Sequence, residues 1–407
     1  MIRNRWPEVG DGEQPYQVGR DRGLLFSTLE DPRSHINRKH PLPSILVIAV
    51  LAVLAGAAGP TAIARWAELK EELLTRILDL PNGVPGKDVF RRVLMALRPA
   101  AFEAAFNAWI ARLRDEAIAE TGVDRPIIAL DGKSARRSHH AANELGALHV
   151  VTAWAGEYGL VLGQQVCEEK SNEITAIPEL LGKIDVRGGI VTIDAMGAQK
   201  AIAEEIIRGG ADYVLALKGN HEALHRAVIE FIDEQLDGDP EGAEELTTTD
   251  RGHGREEERT YLQLPVPEDL PGRSQWKGLK SIGVVTSRRV VAGRESIEVR
   301  YYLSSLPVDI EVFYLSSLPV DIEVFARAVR GHWSVENTCH WTLDVTFRED
   351  DSRIRERVLG SNVSWLYWFT LSILKQHPDR RISLIMRRRA CGWSDEFLME
   401  VITGLTC

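Results

Sequence analysis

The chain reads as a mixed α/β protein: a mixed sheet flanked by helices, with a β-rich insertion and an all-helical stretch ahead of it. Three observations predict this class. Apolar residues recur at helical spacing from about 25 to 120. From Pro126 the period changes to that of strands, three short ones in succession and then strands alternating with helices. From 246 to about 306 the pattern is strand-rich again.

Bulk properties bound the reading. A chain of 407 residues can bury a large core and has room for two or three domains. Its 44% hydrophobic and 27% charged residues are those of an ordinary soluble protein. The net charge of −10 argues against a protein that simply coats DNA, although phosphate contacts depend on local clusters of Lys and Arg. The four cysteines, at 167, 339, 391 and 407, form no CxxC pair, which points to a reducing cytoplasm without a zinc site or disulfide framework. No export signal is expected. Ile45 to Gly59 is almost wholly apolar, but at about 15 residues between Pro43 and Pro60 it is short of the roughly 20 a bilayer needs. A buried helix is expected there, and no membrane association.

Taken in order, residues 1–24 are a Gly- and charge-rich lead-in, expected to be poorly ordered. Ile63, Trp66, Leu69, Leu73 and Ile77 mark a helix over Thr61 to Leu80. Asp88 is a candidate cap for a helix holding Phe90, Val93 and Leu94, and Phe102, Phe106, Trp109, Ile110 and Leu113 share one face of the next. Strands are expected at Ile127 to Asp131, Leu148 to Ala155, Leu160 to Cys167, Gly189 to Asp194 and Tyr213 to Leu217. Helices are expected at Glu173 to Ile184, Gln199 to Arg208 and His221 to Leu236. This order matches a ribonuclease H-like core, in which the first and fourth strands lie side by side. Further strands fall at Glu258 to Leu264, Leu279 to Arg289 and Ser296 to Leu303, and helices return from Val358 to Lys375 and near Ser383 and Ser394. The division expected is 1–24 lead-in, 25–122 helical and DNA-binding or helper, 123–245 core, 246–323 insertion and connector, 324–378 remaining core, and 379–407 helical tail.

Three acids stand out. Asp131 ends the run Ile127-Ile128-Ala129-Leu130, Asp194 ends Ile190-Val191-Thr192-Ile193, and Glu336 lies in a helical stretch, Gly331 to Asn337. Two carboxylates at strand ends and one on a helix can converge on two divalent cations that hold the attacking and leaving oxygens of a phosphodiester exchange. Mg²⁺, or Mn²⁺, suits such oxygen ligands, with Asp131 shared by both ions and Asp194 and Glu336 each on one. Patterning alone leaves a second reading open, since turn residues often follow strands.

Longer stretches narrow the choice. IALDGKSAR (Ile128 to Arg136), EKSNEITAIPELL (Glu169 to Leu181), IVTIDAMGAQK (Ile190 to Lys200), ADYVLALKGN (Ala211 to Asn220), HGR (His253 to Arg255) and Ala326 to Arg353 stand in this order, with DPR at Asp31 and VPGKDVFRRV at Val84 ahead of them. From Leu25 to about Lys375 the chain resembles the insertion-sequence transposases that include the H-repeat-associated proteins of Rhs elements. The resemblance implies a DDE transposase with a ribonuclease H-like fold and an inserted β domain. It carries the acidic triad to Asp131, Asp194 and Glu336. It also implies two Mg²⁺ (or Mn²⁺) ions, DNA as partner (element ends and target), at least a homodimer on DNA, and a cytoplasmic, nucleoid-associated location. The Tyr, Arg and Lys set of related transposases does not transfer: those positions hold Val329, His332 and Leu343, with Arg330 out of register.

DNA contacts are expected from Lys133, Arg136, Lys218, Asn220, Arg330, His332, Trp333 and His340, the last three sharing the Glu336 face of a helix. Glu173 is either a helix cap or a fourth acid near the metals. Trp341 is expected in the core, Asp344 and Asp350 as structural or exposed, and Arg387 to Arg389 on a solvated or DNA-facing helix end. Tyr302 to Phe313 is repeated without change as Tyr314 to Phe325. Only one copy can follow the original strand-to-helix path, so the other loops out or the helix shifts. That duplication motivates an alternative function, a catalytically inactive DNA-binding remnant of an element.

Overall fold

The long apolar run at Ile127 becomes the first half of β1 (Ile127–Ala135), a strand covered on both faces, as unbroken hydrophobic runs require. The computed structural model describes residues 26, 29–139, 146–167, 173–237, 243–252, 254–308 and 321–403. Within them β1 is followed by β2 (Leu148–Ala155), β3 (Leu160–Val166), β4 (Ile190–Ile193) and β5 (Asp212–Leu217), then β6 (Glu244–Gly252), β7 (Arg255–Pro265), β8 (Ser281–Val291) and β9 (Arg294–Ser304). All nine form one sheet in the order β3-β2-β1-β4-β5-β9-β8-β7-β6. β1 pairs antiparallel with β2 and parallel with β4, so the expected adjacency of first and fourth strands holds. The insertion is not a separate small sheet. It is an antiparallel meander whose last strand, β9, pairs with β5 and so extends the central sheet.

Ahead of the sheet lie α1 (Leu42–Leu54), α2 (Pro60–Leu69), α3 (Glu71–Ile77), α4 (Lys87–Ala96) and α5 (Pro99–Thr121). The single helix expected over 61–80 is thus two, broken at Lys70. Prolines open α2 and α5, where a missing N–H costs nothing, and Gly122 ends α5 at φ 68° in the left-handed region. The apolar segment at Ile45 is α1, and its residues Ile45 to Leu54 are all buried. Among the described residues no helix is long and apolar enough to cross a membrane.

Between β3 and β6 come α6 (Glu173–Leu181), α7 (Lys200–Arg208) and α8 (Glu222–Asp237). After the insertion come α9 (Asp321–His332), α10 (Arg357–Gln376), α11 (Leu384–Trp393) and α12 (Asp395–Thr403). The leading helices do not pack alone. Phe106 and Trp109 of α5 meet Trp365 and Phe369 of α10 at ring separations of 4.9 and 4.8 Å, and one continuous core joins them to β1–β5. Each such aromatic pair contributes about 0.5–1.5 kcal/mol beyond its buried area.

Helix α9 lies across the other face of the sheet on a second cluster, including Ile127, Ile190, Val214, Phe325 and Val329. It is anchored near its start and at its middle. Glu244 of β6 accepts from Ile322 N at 3.1 Å, and Arg327 pairs with Glu157 at 2.8 Å. Gly331 allows the closest approach: a Cβ there would stand 2.9 Å from Ile127 Cγ2. Helical winding continues beyond α9 but loosens to π turns over Val335–His340 and Leu343–Phe347, a deviation frequent near functional sites.

Tyr302 to Ser304 end β9 and Asp321 to Phe325 begin α9, so the described parts of the two twelve-residue copies together make one complete unit, Tyr302–Val308 and Asp321–Phe325. Both parts are packed, with Phe325 edge-on to Tyr302 at 5.7 Å. Residues 309–320, where a looped-out copy was expected, lie outside the described residues, as do the lead-in 1–24, His253 and Cys407.

Candidate active site

Strand pairing brings the first two acids together. Leu130 lies opposite Ile193 in the parallel ladder, so Asp131 and Asp194, each one residue further, stand on adjacent strands about 5 Å apart along the sheet. Alternation decides which face they use. Leu130 and Ile193 belong to the main core, whereas Ile127 and Ile190, of the opposite parity, pack under α9. The two acids share the parity of that α9 face. The same face receives Val214, Ala216 and Lys218 from β5.

A cavity of about 250 Å³ opens there, and Asp131, Asp194 and Glu336 all line it. Asp131 is 20% exposed and Glu336 stands exposed at the rim. Asp194 Oδ1 accepts from the N–H groups of Met196 and Gly197, both at 3.1 Å, which fixes the carboxylate within the turn. Asn220 supports the same turn by donating to Ala195 O at 2.6 Å. His340 Nδ1 lies 3.4 Å from Asp131 Oδ2. The donors are hard oxygens, as Mg²⁺ or Mn²⁺ requires. Among the described residues no three His, Cys, Asp or Glu side chains close on a single point.

The remaining wall carries His332, Trp333, Lys218, Arg300 and Tyr302. His332 Nδ1 and the Thr192 hydroxyl are hydrogen bonded at 3.1 Å. Burial pushes the His332 imidazole below its usual value, and the nearby Asp131 and Asp194 charges offset this only in part. Its ring is therefore neutral at neutral pH. The Arg300 guanidinium sits over the Trp333 ring, 4.5 Å from the centroid.

Of the side chains expected at DNA, Lys218, His332 and Trp333 line the cavity, and His340 reaches Asp131 from beside it. Others are placed elsewhere. Lys133 is buried against Asp344 at 2.6 Å and Glu349 and Asp350 at 3.5 Å, so its charge is already matched inside the protein and it is not available to a phosphate. Asn220 serves the Asp194 turn. Arg330 pairs with Asp250 of the insertion at 3.1 Å, and Arg136, its side chain 82% exposed, leans on Asp350 at 3.3 Å. Glu173 opens α6 and hydrogen bonds His149 Nε2 at 2.9 Å. A Cβ on Gly132 would strike that carboxylate, which puts Glu173 on the face of β1 away from Asp131. It is not a fourth acid in the cavity.

Two further expectations are corrected. Trp341, which directly follows the π turn, is 57% exposed and not in the core. Arg387 and Arg388 are buried, not solvated or facing DNA. Arg387 donates to the carbonyls of Leu374 and Asp379, and Arg388 lies over the Phe347 ring at 4.2 Å and donates to Thr346 O. Carbonyls left over at helix ends draw them inward. The reading of the sequence missed Arg300, Tyr302 and Thr192. Thr192 is within the motif before Asp194. Arg300 and Tyr302 carry no local signal, because only the β5–β9 pairing brings the insertion to the site.

Comparison with known proteins identifies the family. Residues 122–367 match the family model of the transposase DDE domain, and residues 24–110 match that of the DDE_Tnp_1-associated region. The chain belongs to the DDE transposase family. It is 35% identical over 384 residues to the "H repeat-associated putative transposase YhhI" of Escherichia coli K12, covering 93% of this chain and 97% of that protein. It is 36% identical over 383 residues to the "Putative transposase YncI" of Escherichia coli O157:H7, 93% of each chain. A protein encoded beside dhlA in Xanthobacter autotrophicus is 42% identical over 286 residues, 70% of this chain and 94% of that one.

Proposed function

We propose that this DDE transposase cuts DNA at the ends of an insertion sequence and joins the freed 3′-hydroxyl to target DNA, using Asp131, Asp194 and Glu336 as its catalytic carboxylates. One observation carries the reading: acids from β1, from the turn after β4 and from the helix after α9 line one cavity whose other wall is cationic and aromatic. We read the chain as a ribonuclease H-like core, 123–245 and 324–378, interrupted by the insertion and preceded by a DNA-binding or helper region at 25–122. The working form is a dimer or higher oligomer on DNA, in the nucleoid-associated cytoplasm.

Asp131 would hold both of two Mg²⁺ or Mn²⁺ ions, with Asp194 on one and Glu336 on the other. Bound there, the ions supply an activated nucleophile and charge stabilisation for the departing oxygen. The protein's own groups hold and orient. The Met196 and Gly197 amides hold the Asp194 carboxylate in place, and His340 stands beside Asp131 Oδ2. Neutral His332 leaves Nε2 for the DNA strand, and Trp333 offers a face to a base.

The test is cleavage of labelled element ends with Mg²⁺. Asp131→Ala, Asp194→Ala and Glu336→Ala should each abolish cutting while leaving the fold intact. Mg²⁺-dependent cleavage by the purified triple variant refutes the assignment. The second reading, an inactive DNA-binding remnant, rests on the duplication and is separated by the same assay: end binding without any cutting.

A further inference from the structure

Lys218 and Arg300 both line the cavity at the seam where the insertion joins the core. The antiparallel ladder pairs Ala216 with Tyr302 and Leu217 with Tyr301, and its next step sets Lys218 opposite Arg300. Lys218 keeps extended backbone, φ −141° and ψ −171°, so the step is a continuation of the strand. Both side chains share the parity of Ala216 and Tyr302 and line the cavity of the three acids. Two like charges directly opposite on one face repel and destabilise a strand pair. Such a pair persists where an anion comes between.

Within the chain a carboxylate already engages Arg300 from outside the cavity. Glu298, two residues before Arg300 on the same face, accepts from Arg300 Nε at 2.8 Å and Nη2 at 3.1 Å. This is the fork geometry a phosphate also satisfies. Glu298 is 61% exposed and does not line the cavity, whereas Arg300 is 29% exposed and does. The Trp333 ring lies against the guanidinium, 4.5 Å from centroid to Cζ. Among the described residues Lys218 has no ion-pair partner.

We propose that Lys218 and Arg300 form a two-cation clamp for a non-reacting phosphate of the DNA strand being cut, and that Glu298 occupies the Arg300 fork until that phosphate displaces it. This rests on the cleavage reading above and deepens it: the insertion supplies a substrate contact directly, so the site is complete only when β9 is paired with β5. The clamp holds the strand from the wall facing the carboxylates, which fixes where the scissile bond falls between them.

The test uses inorganic phosphate at fixed Mg²⁺, followed by tryptophan fluorescence, since an anion on Arg300 changes the surroundings of Trp333. A saturable response is expected in the unaltered chain and should vanish in Trp333→Phe. Arg300→Gln and Lys218→Gln should each raise the half-saturating phosphate at least tenfold. Arg300→Lys, which keeps charge without the fork, should fall between. Glu298→Gln should lower it several-fold, because the competing carboxylate is gone. Circular dichroism and thermal melting of each variant establish that it is folded. The clamp is overturned if Arg300→Gln titrates like the unaltered chain, or if that chain gives no saturable response. The displacement role of Glu298 is overturned if Glu298→Gln binds more weakly. Because the readout is binding, it stands apart from the cleavage reading: cutting by the triple carboxylate variant would refute that reading whatever this titration gives.

Discussion

Gly331 permits a direct test of whether the helix bearing Glu336 must sit where it does. A methyl group there would stand 2.9 Å from Ile127 Cγ2, 3.1 Å from Cβ and 3.2 Å from Cγ1. Carbon atoms pack at about 3.5–4.0 Å, so Gly331→Ala must lift α9 from β1 by roughly 1 Å. Overpacking of this kind costs about 1–3 kcal/mol, and the better helix propensity of Ala returns about 1 kcal/mol, leaving a loss of about 0–2 kcal/mol. Melting should fall by no more than a few degrees. The effect on chemistry should be larger. Glu336 lies on the same helical run, and a misplacement of about 1 Å costs on the order of 100-fold in rate, about 2.7 kcal/mol. End cleavage under single-turnover conditions should therefore fall about 100-fold in a protein that remains folded. Ile127→Ala removes the atoms that collide, so the double variant should cut better than Gly331→Ala alone, with the two changes coupled rather than additive. Full activity in Gly331→Ala, with unchanged melting, would refute the reasoning.

Gly132→Ala probes the opposite face: its Cβ would meet the side-chain ends of Glu173 and His149, which must move aside and weaken their hydrogen bond, costing about 0.5–1.5 kcal/mol in melting experiments. Deleting one twelve-residue copy leaves the sequences of Tyr302–Val308 and the following Asp-to-Phe segment unchanged, so stability should alter by about 1 kcal/mol or less and cleavage should match that of the parent. A tenfold gain on deletion would favour the inactive-remnant reading. His377 carries a pH dependence. Burial holds its pKa below the usual 6.5, outweighing Glu400, and Asp379 N donates to Nδ1 at 3.3 Å, a bond that protonation destroys. The unfolded chain binds that proton more readily, so stability is full above about 6.5 and is lost as pH falls below it. His377→Gln should flatten the melting difference between pH 7.5 and 5.5, and an unchanged slope would exclude His377 as its source.

Which parts were legible follows from how far the signal travels along the chain. Asp131 and Asp194 end apolar runs, and the strand order that pairs those runs is readable from the alternation of strands and helices. Glu336 was legible only through family resemblance, since nothing in Gly331 to Asn337 states which way its helix faces. The π turns around Glu336, His340 and Trp341 have no compositional mark, and the expectation that a large aromatic such as Trp341 is core failed. Charge by itself also misled. Lys133, Arg387 and Arg388 look like phosphate contacts in sequence, yet each is drawn inward by acids or carbonyls distant along the chain. Arg300 is the converse case, a site residue made so by strand pairing alone.

The most direct test is diffraction at the manganese absorption edge from the protein bound to an element end. The two-ion account expects two manganese peaks about 3.5–4 Å apart, with Asp131 touching both, Asp194 one and Glu336 the other. A single peak, or two peaks with Glu336 beyond coordinating distance, would contradict it.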